Sequence, residues 1–137
     1  MNHDIAQQIA TLLNTQNKLT VFYDADKVLQ AADRYIYRLG VDSRVVGAIE
    51  VKKVQWYRCE IDHLSVSDKR RGIGSFLLAE ALIQAQKLGA RVVQCTIRVG
   101  NNESEGFFTK HGFTPTVTFL NRDNGNLVTI YQKALTT

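Results

Sequence analysis

Val66-Ser67-Asp68-Lys69-Arg70-Arg71-Gly72-Ile73-Gly74-Ser75-Phe76-Leu77-Leu78 is the stretch that decides most of what this chain can be. Cations and glycines stand here between an apolar segment that ends at Val66 and an apolar run that begins at Ile73. Glycine lets a backbone approach a ligand closely, and the amides of a helix N-terminus, supported by the helix dipole, bind negative oxygens. The stretch therefore predicts a strand, a phosphate-binding loop and a helix.

Two common glycine-rich loops are excluded by residue spacing. A dinucleotide-binding loop needs a third glycine three places after Gly74, where this chain has Leu77. A P-loop needs Gly-Lys followed by Ser or Thr, and the sequence contains no such triplet. The loop is therefore expected to bind phosphate groups of another kind of ligand.

The segment Lys69 to Gly74 resembles motif A of the GNAT superfamily of N-acetyltransferases, whose pyrophosphate loop reads Gln/Arg-x-x-Gly-x-Gly/Ala. It departs from that motif only at Lys69. Downstream, residues 101–113 are similar to the family's later signature, Asn-x-x-Ala-x-x-Phe-Tyr-x-x-x-Gly-Phe, with departures at Ser104 and Phe108. Residues 44–49 look like the family's strand with its small residue, so the resemblance covers roughly residues 35–133.

The resemblance implies an α/β (α+β) GNAT fold, in which helices flank a central, twisted, mixed and mostly antiparallel sheet. A chain of 137 residues is expected to form a single domain, 1–137. Hydrophobic periodicity predicts helices and strands along most of the chain. The predicted helices are 4–16, 72–88 and 102–110, and the predicted strands are 35–39, 44–53, 57–66, 91–99, 113–121 and 127–134. Between 18 and 34, a strand near 19–23 and a short helix over 26–34 both remain open.

Composition excludes several other classes of protein. No apolar run approaches the ~20 residues that a membrane span needs, and the N-terminus lacks a basic region followed by an apolar one. We therefore expect a cytoplasmic protein with no membrane partner. The net charge of +4 and pI near 9.2 do not predict nucleic-acid binding, because the cations are dispersed except at 69–71. Cys59 and Cys95 lack metal-ligand spacing and are expected to be reduced, buried thiols, so no metal site is predicted.

Two carboxylates on the strand before the loop are the candidates for general-base chemistry. An alkylammonium with a pKa of about 10 must lose a proton before it can attack a carbonyl. Glu60 and Asp62 are two residues apart, so both side chains are expected on one face of the strand. The other reading is that both carboxylates pair with cations on a neighbouring strand. His63 and Ser65 are expected on the opposite face, which favours a structural role for His63.

By resemblance, acetyl-CoA is the cosubstrate. The backbone of residues 64–66 would bind the pantetheine arm, with the Leu64 amide polarising the acetyl oxygen. The amides of residues 71–75 would hold the pyrophosphate, and Asn101 would contact the pantetheine or adenylate part. The predicted cofactor-binding residues are Leu64, Ser65, Val66, Lys69, Arg70, Arg71, Gly72, Ile73, Gly74, Ser75, Asn101 and Phe108.

Phe108 stands where many family members have a tyrosine that protonates the departing thiolate. Three readings remain open: water or Tyr131 serves instead, the thiolate leaves unassisted, or the domain binds acyl-CoA without turnover. The resemblance implies an N-acetyltransferase that acts by direct transfer in a ternary complex, with a small amine or a protein amino group as acceptor. The alternative is a non-catalytic acyl-CoA-binding or regulatory module. A homodimer is also open, because dimers are common in the family.

Overall fold

The computed structural model describes residues 1–17, 21–69 and 71–135. Its helices are α1 (His3–Gln16), α2 (Ala25–Gln30), α3 (Ile73–Lys87) and α4 (Asn102–Lys110), with a 3-10 turn at Ala32–Arg34. Its strands are β1 (Tyr35–Leu39), β2 (Val45–Gln55), β3 (Arg58–Val66), β4 (Val92–Arg98), β5 (Thr114–Leu120) and β6 (Leu127–Ala134). The predicted elements after residue 34 are all present, with ends shifted by at most a few residues.

The six strands form one sheet in the order β1-β2-β3-β4-β6-β5. Pairing is antiparallel in β1–β2, β4–β6 and β5–β6, and parallel in β3–β4. The recorded parallel register joins residues 58–60 of β3 to residues 92–94 of β4. This mixed, mostly antiparallel sheet with flanking helices confirms the predicted fold class.

The chain divides into two compact units. The first comprises Met1–Lys52 and Ile61–Gln84, and the second comprises Lys53–Glu60 and Ala85–Thr137. The single domain expected from chain length stays a prediction.

In the first unit, α1 and α2 pack their apolar sides on β1 and β2. Each helix begins at a capping side chain: Asn2 Oδ1 accepts from Ile5 N at 2.8 Å, and Asp24 Oδ1 accepts from Lys27 N at 2.9 Å. The buried residues of this core are Ala6, Ile9, Ala10, Leu13, Ala25, Val28, Tyr35 and Ala48. The region between 18 and 34, for which the sequence leaves two predictions open, thus contains a short helix and a 3-10 turn. Residues 21–23 form no strand, and residues 18–20 lie outside the described residues.

Helix α3 carries an apolar stripe at helical spacing. Ile73, Leu77 and Ala81 are buried, but Leu88 is 36% exposed. The helix ends at Lys87, so Leu88 no longer follows the helical periodicity, and Ala85 is buried in its place. Gly89 has φ +89° and stops the helix, as its sequence position predicts.

Gly47 on β2 allows β2 and α3 to approach closely. A Cβ at this position would lie 2.7 Å from Ile73 Cγ2 and 2.8 Å from Leu77 Cδ1. We expect Gly47→Ala to lower the free energy of unfolding by about 1–3 kcal/mol, since the extra methyl group overpacks the core. Urea denaturation checks this. Gly106→Ala on α4 is the matched control, because a Cβ there meets nothing within 4 Å, and it should stabilise by about 0.5–1 kcal/mol. An equal response of the two variants would contradict the packing argument.

The second unit contains the C-terminal hairpin and a small aromatic cluster. β5 and β6 form a hairpin whose connection contains Asn124-Gly125, a dipeptide typical of hairpin turns, and Gly125 has φ +75°. Cys59 and Cys95 are both buried, as expected. Among the helices of the described residues, none combines the length and the apolar character that crossing a membrane requires.

Candidate functional site

The predicted phosphate loop connects β3, which ends at Val66, to α3, which begins at Ile73. Gly72 has φ +69°, and apart from its chain neighbours no heavy atom of the described residues would lie within 4 Å of a Cβ there. Its carbonyl oxygen accepts the hydrogen bond of Phe76 N at 3.0 Å, which is the first helical bond of α3. The glycine therefore permits the left-handed turn and leaves open space before the helix N-terminus, where free amides favour anions.

Charge near this loop is already partly compensated. Arg71 Nε lies 3.1 Å from Asp68 Oδ2, and these side chains are 76% and 46% exposed. An exposed ion pair of this kind contributes little to stability, so Arg71 can exchange Asp68 for a phosphate at small cost. Arg70, which the sequence also assigns to phosphate binding, lies outside the described residues.

Strand β3 departs from regular alternation at His63, which has φ +55°. Asp62 Oδ2 lies 3.0 Å from Lys52 Nζ, and His63 Nε2 lies 3.8 Å from Glu50 Oε1. Glu50 and Lys52 are two residues apart on β2 and share one face of the sheet. Asp62 and His63 therefore reach the same face, and the expectation that His63 points away is wrong because the left-handed backbone reverses the alternation.

His63 also contacts a tyrosine from the connection between α1 and α2. Tyr23 Oη lies 3.1 Å from His63 Nε2, and the two rings meet edge to face with centroids 5.2 Å apart. Burial lowers the pKa of His63, opposed by the Asp62 carboxylate and assisted by the Lys52 ammonium. Burial and the nearby carboxylates of Glu50 and Asp62 raise the pKa of Tyr23. Both side chains are therefore neutral at pH 7.

The segment predicted to hold the pantetheine arm begins directly after His63. Ser65 is buried, and its hydroxyl accepts a hydrogen bond from Asn17 Nδ2 at 2.6 Å. Ser67 N donates to Val46 O at 2.9 Å, which ties the end of β3 to β2. Leu64 is half-buried and Val66 is buried. These contacts anchor the segment firmly, which suits a backbone that must present amides without moving.

The two candidate carboxylates occupy different environments. Asp62 forms the ion pair with Lys52, which agrees with the alternative prediction that this carboxylate pairs with a cation on a neighbouring strand. Glu60, in the second unit, is half-buried on β3 and stands opposite Gln94 of β4 in the parallel register. Within the described residues, no group of three or more His, Cys, Asp or Glu side chains has the arrangement of a metal site.

Asn101 and Phe108 lie at the two ends of the second unit's helix. Asn101 caps α4, with Oδ1 accepting from Ser104 N at 3.3 Å. Phe108 is buried and meets Phe107 and Phe113 edge to face, each with centroids 5.2 Å apart. Its ring is therefore held rigidly in an aromatic cluster.

Tyr131 is the residue that the sequence suggests as the proton donor to the thiolate, because position 108 is a phenylalanine. It lies on β6 opposite Cys95 of β4 and Pro115 of β5, and it is buried. Burial, followed by the charges of Glu105 and Cys95, raises the pKa of Tyr131. The phenol therefore keeps its proton at neutral pH and is chemically able to donate it.

Sequence reasoning missed Tyr23, Glu50 and Lys52 as members of a polar cluster. Tyr23 falls in the stretch whose secondary structure the sequence leaves open. Glu50 and Lys52 alternate with apolar residues on β2, and this pattern is the only signal that places their side chains on one face.

Comparison with known proteins gives a consistent result. The sequence model of the acetyltransferase (GNAT) family matches residues 4–113. Ard1 from Thermoplasma volcanium superposes with a TM-score of 0.83 at 21% identity, covering 100% of this chain and 95% of that one. Ribosomal-protein-alanine N-acetyltransferase from Brucella melitensis gives a TM-score of 0.82 at 18% identity, covering 98% and 97% of the two chains.

A third similar structure is Rv2747 from Mycobacterium tuberculosis, in a complex that contains CoA. Its TM-score is 0.79 at 18% identity, covering 98% of this chain and 96% of that one. Identities this low establish a shared fold only. No curated protein sequence matches the chain.

Proposed function

This chain belongs to the acetyltransferase (GNAT) family, and from that premise we propose that it is an acetyl-CoA-dependent N-acetyltransferase acting on a primary amine. Direct transfer within a ternary complex is the proposed course of the reaction. The observation that carries the proposal is the open, left-handed turn at Gly72 before α3, where a Cβ would meet nothing within 4 Å. The likeness to a Brucella ribosomal-protein-alanine N-acetyltransferase and to a CoA-containing structure supports it.

We assign acetyl-CoA binding to the predicted residues. The amides of Arg71–Ser75 are to hold the pyrophosphate at the positive end of α3, with Lys69, Arg70 and Arg71 supplying charge. The backbone of Leu64–Val66 is to pair with the pantetheine arm as an added strand would. Asn101 and Phe108 are assigned to the same cosubstrate.

The proposed chemistry needs a proton acceptor and an oxyanion donor. The acceptor nitrogen attacks the acetyl carbonyl carbon, and the carbon–sulfur bond breaks as the thiolate departs. Glu60, on the strand that leads to the loop, is the proposed general base, and Asp62, whose Oδ2 lies 3.0 Å from Lys52 Nζ, is the second candidate. The Leu64 amide is the proposed donor to the acetyl oxygen, since an anchored backbone amide needs no reorganisation as charge develops.

The departing thiolate has two sources of help in this proposal. A thiol has a pKa of about 8.5, so its anion leaves without full protonation. Water or the neutral Tyr131 phenol then supplies the proton. Phe108, which has no proton to give, is not needed for this step.

Phe108→Tyr is expected to hold or raise turnover by a few fold, to roughly the extent that leaving-group protonation limits the rate. The new hydroxyl enters an aromatic cluster, so the thermal unfolding midpoint must be recorded together with CoA release. Phe113→Tyr, a hydroxyl added within the same cluster, is the matched control and should not raise turnover. A tenfold or greater loss in a stably folded Phe108→Tyr would contradict the assigned thiolate environment.

Thiol release from acetyl-CoA with a panel of amines tests the proposed function. The panel contains polyamines, amino acids, aminoglycosides, and peptides with free N-termini or lysines. Amine-dependent release supports the enzyme, and the best substrate distinguishes a small amine from a protein amino group. Tight acetyl-CoA binding without release by any amine would instead support a non-catalytic acyl-CoA-binding module.

A further inference from the structure

The Tyr23–His63 pair has no role in the chemistry proposed above. It nevertheless lies directly before Leu64, the residue assigned to the acetyl oxygen, and on the sheet face that carries Asp62. Tyr23 Oη and His63 Nε2 are 3.1 Å apart, which is hydrogen-bond distance for these atoms. The His63 side chain is 21% exposed. It is therefore screened from bulk water but still reachable.

The reaction supplies a reason for a second proton acceptor. A primary amine reaches the enzyme mainly as an ammonium ion at neutral pH, because its pKa is about 10. Its nitrogen loses one proton before attack and a second as the tetrahedral intermediate becomes an amide. One carboxylate, Glu60, cannot hold both protons at once.

We propose that Tyr23 and His63 form a proton relay that removes the first proton from the acceptor ammonium, a role that rests on the proposed N-acetyltransferase function. Glu60 then takes the second proton, during attack. A second acceptor is needed for the first step, because Glu60 is assigned the proton that leaves during attack.

The proton balance of the relay is simple. The ammonium gives a proton to Tyr23 Oη while the Tyr23 hydroxyl proton passes to His63 Nε2. The N–H bond of the ammonium and the O–H bond of Tyr23 break, and a new O–H and a new N–H bond form. The products are a neutral amine, an unchanged phenol and an imidazolium. Tyr23 therefore conducts the proton, and His63 stores it until water removes it.

The surroundings of His63 act on both protonation states of its imidazole. Burial keeps its imidazole neutral at the start, with a lowered pKa. The Glu50 carboxylate, whose Oε1 is 3.8 Å from Nε2, stabilises the imidazolium once it forms. Glu50 is itself buried, so its charge acts through a low dielectric. Among the described residues, the charged and titratable groups near this pair, from each neighbouring element, are Lys27, Arg34, Tyr35, Glu50, Lys52 and Asp62.

The raised pKa of Tyr23 excludes the simpler idea that its phenolate is the base. A neutral phenol beside a neutral imidazole passes a proton without first becoming charged. Tyr23 is therefore suited to pass a proton on to His63, not to hold a negative charge itself.

The experiment compares kcat/KM of the parent, Tyr23→Phe and His63→Asn from about pH 6 to about pH 10, with the best amine of the panel. Asparagine is chosen at position 63 because it tolerates a positive φ. At pH 7 both variants should lose about tenfold or more, and the loss should shrink toward zero as the pH rises to about 10, where roughly half of the amine is already neutral. Tyr37→Phe, on the neighbouring strand, is the matched control and should follow the parent throughout.

The fall of the parent's kcat/KM at low pH tests the direction of the His63 pKa shift. Because the pKa of His63 is lowered, kcat/KM should fall only as the pH drops below about 6.5, and this limb should be absent in His63→Asn. CoA affinity and the thermal unfolding midpoint show that each variant is folded. If His63→Asn does not fold, Tyr23→Phe decides alone.

Each outcome has a distinct meaning. A deficit that disappears at high pH supports the relay. A deficit of constant size at every pH, or no deficit, overturns the relay and leaves the N-acetyltransferase function intact. A parent without turnover for any amine overturns the proposed function itself, and the relay with it.

Discussion

Glu60→Gln is expected to lower kcat about hundredfold or more while leaving acetyl-CoA binding nearly unchanged. Glutamine keeps the shape of the side chain and removes its ability to accept a proton. Binding should hold because the cosubstrate is assigned to residues 64–66 and to the loop before α3, not to this carboxylate. Steady-state kinetics at neutral pH, with acetyl-CoA affinity from calorimetry, measures both quantities.

Asp62→Asn is the control for the loss of a carboxylate on the same strand. Its carboxylate pairs with Lys52 at 3.0 Å, so the variant should lose the ion pair and much less of kcat. Activity of Glu60→Gln within a few fold of the parent would shift the role to Asp62 or to bulk water. High pH separates the two proton steps: it should restore Tyr23→Phe but not Glu60→Gln, since the second proton leaves only during attack.

Much of the fold could be predicted because local signals agreed with the motif. The glycine-rich loop required a strand before it and a helix after it, and the structure has β3 and α3 there. Asn124-Gly125 indicates a hairpin turn, and the connection that contains it joins β5 to β6. These features depend on backbone conformations that few residue types adopt, so short stretches of sequence are enough to identify them.

The stretch before β1 was harder to predict for a physical reason. Val21, Phe22 and Tyr23 have strand-forming side chains, but the structure places them in an irregular connection. Strand propensity measures how a side chain packs on a pleated surface, and within the described part of the chain residues 21–23 join no sheet. The Asp24 side chain instead caps α2.

The sequence predicts which residue types form the site, but not the face of the sheet to which each side chain points. Strict alternation on β3 placed His63 opposite Asp62, and the positive φ of His63 brings both to one face. The residue type does not predict a left-handed conformation there, because positive φ is uncommon for every residue other than glycine, even though histidine is enriched among the exceptions. The partners Tyr23, Glu50 and Lys52 come from distant segments, so the cluster appears only once the chain is folded.

Gly72→Val is expected to weaken CoA binding about tenfold or more, equivalent to ~1.4 kcal/mol. A valine side chain would occupy the open space before α3, where the pyrophosphate is assigned and where a Cβ now meets nothing within 4 Å. Valine at φ +69° is also strained, so lost stability must be separated from lost binding.

Gly89→Val separates the two effects, since Gly89 follows the other end of α3 with φ +89° and likewise has no heavy atom within 4 Å of a Cβ. Both variants should lose stability through the same backbone strain, but only Gly72→Val should lose CoA affinity in calorimetry. If folded Gly72→Val binds CoA as the parent does, the phosphate loop is assigned to the wrong residues. If both variants lose affinity equally, the cause is backbone strain at the ends of α3 and not a valine side chain in the space assigned to the pyrophosphate. Loss confined to Gly72→Val would locate the pyrophosphate at the helix N-terminus, because the two substitutions differ only in which end of α3 they occupy.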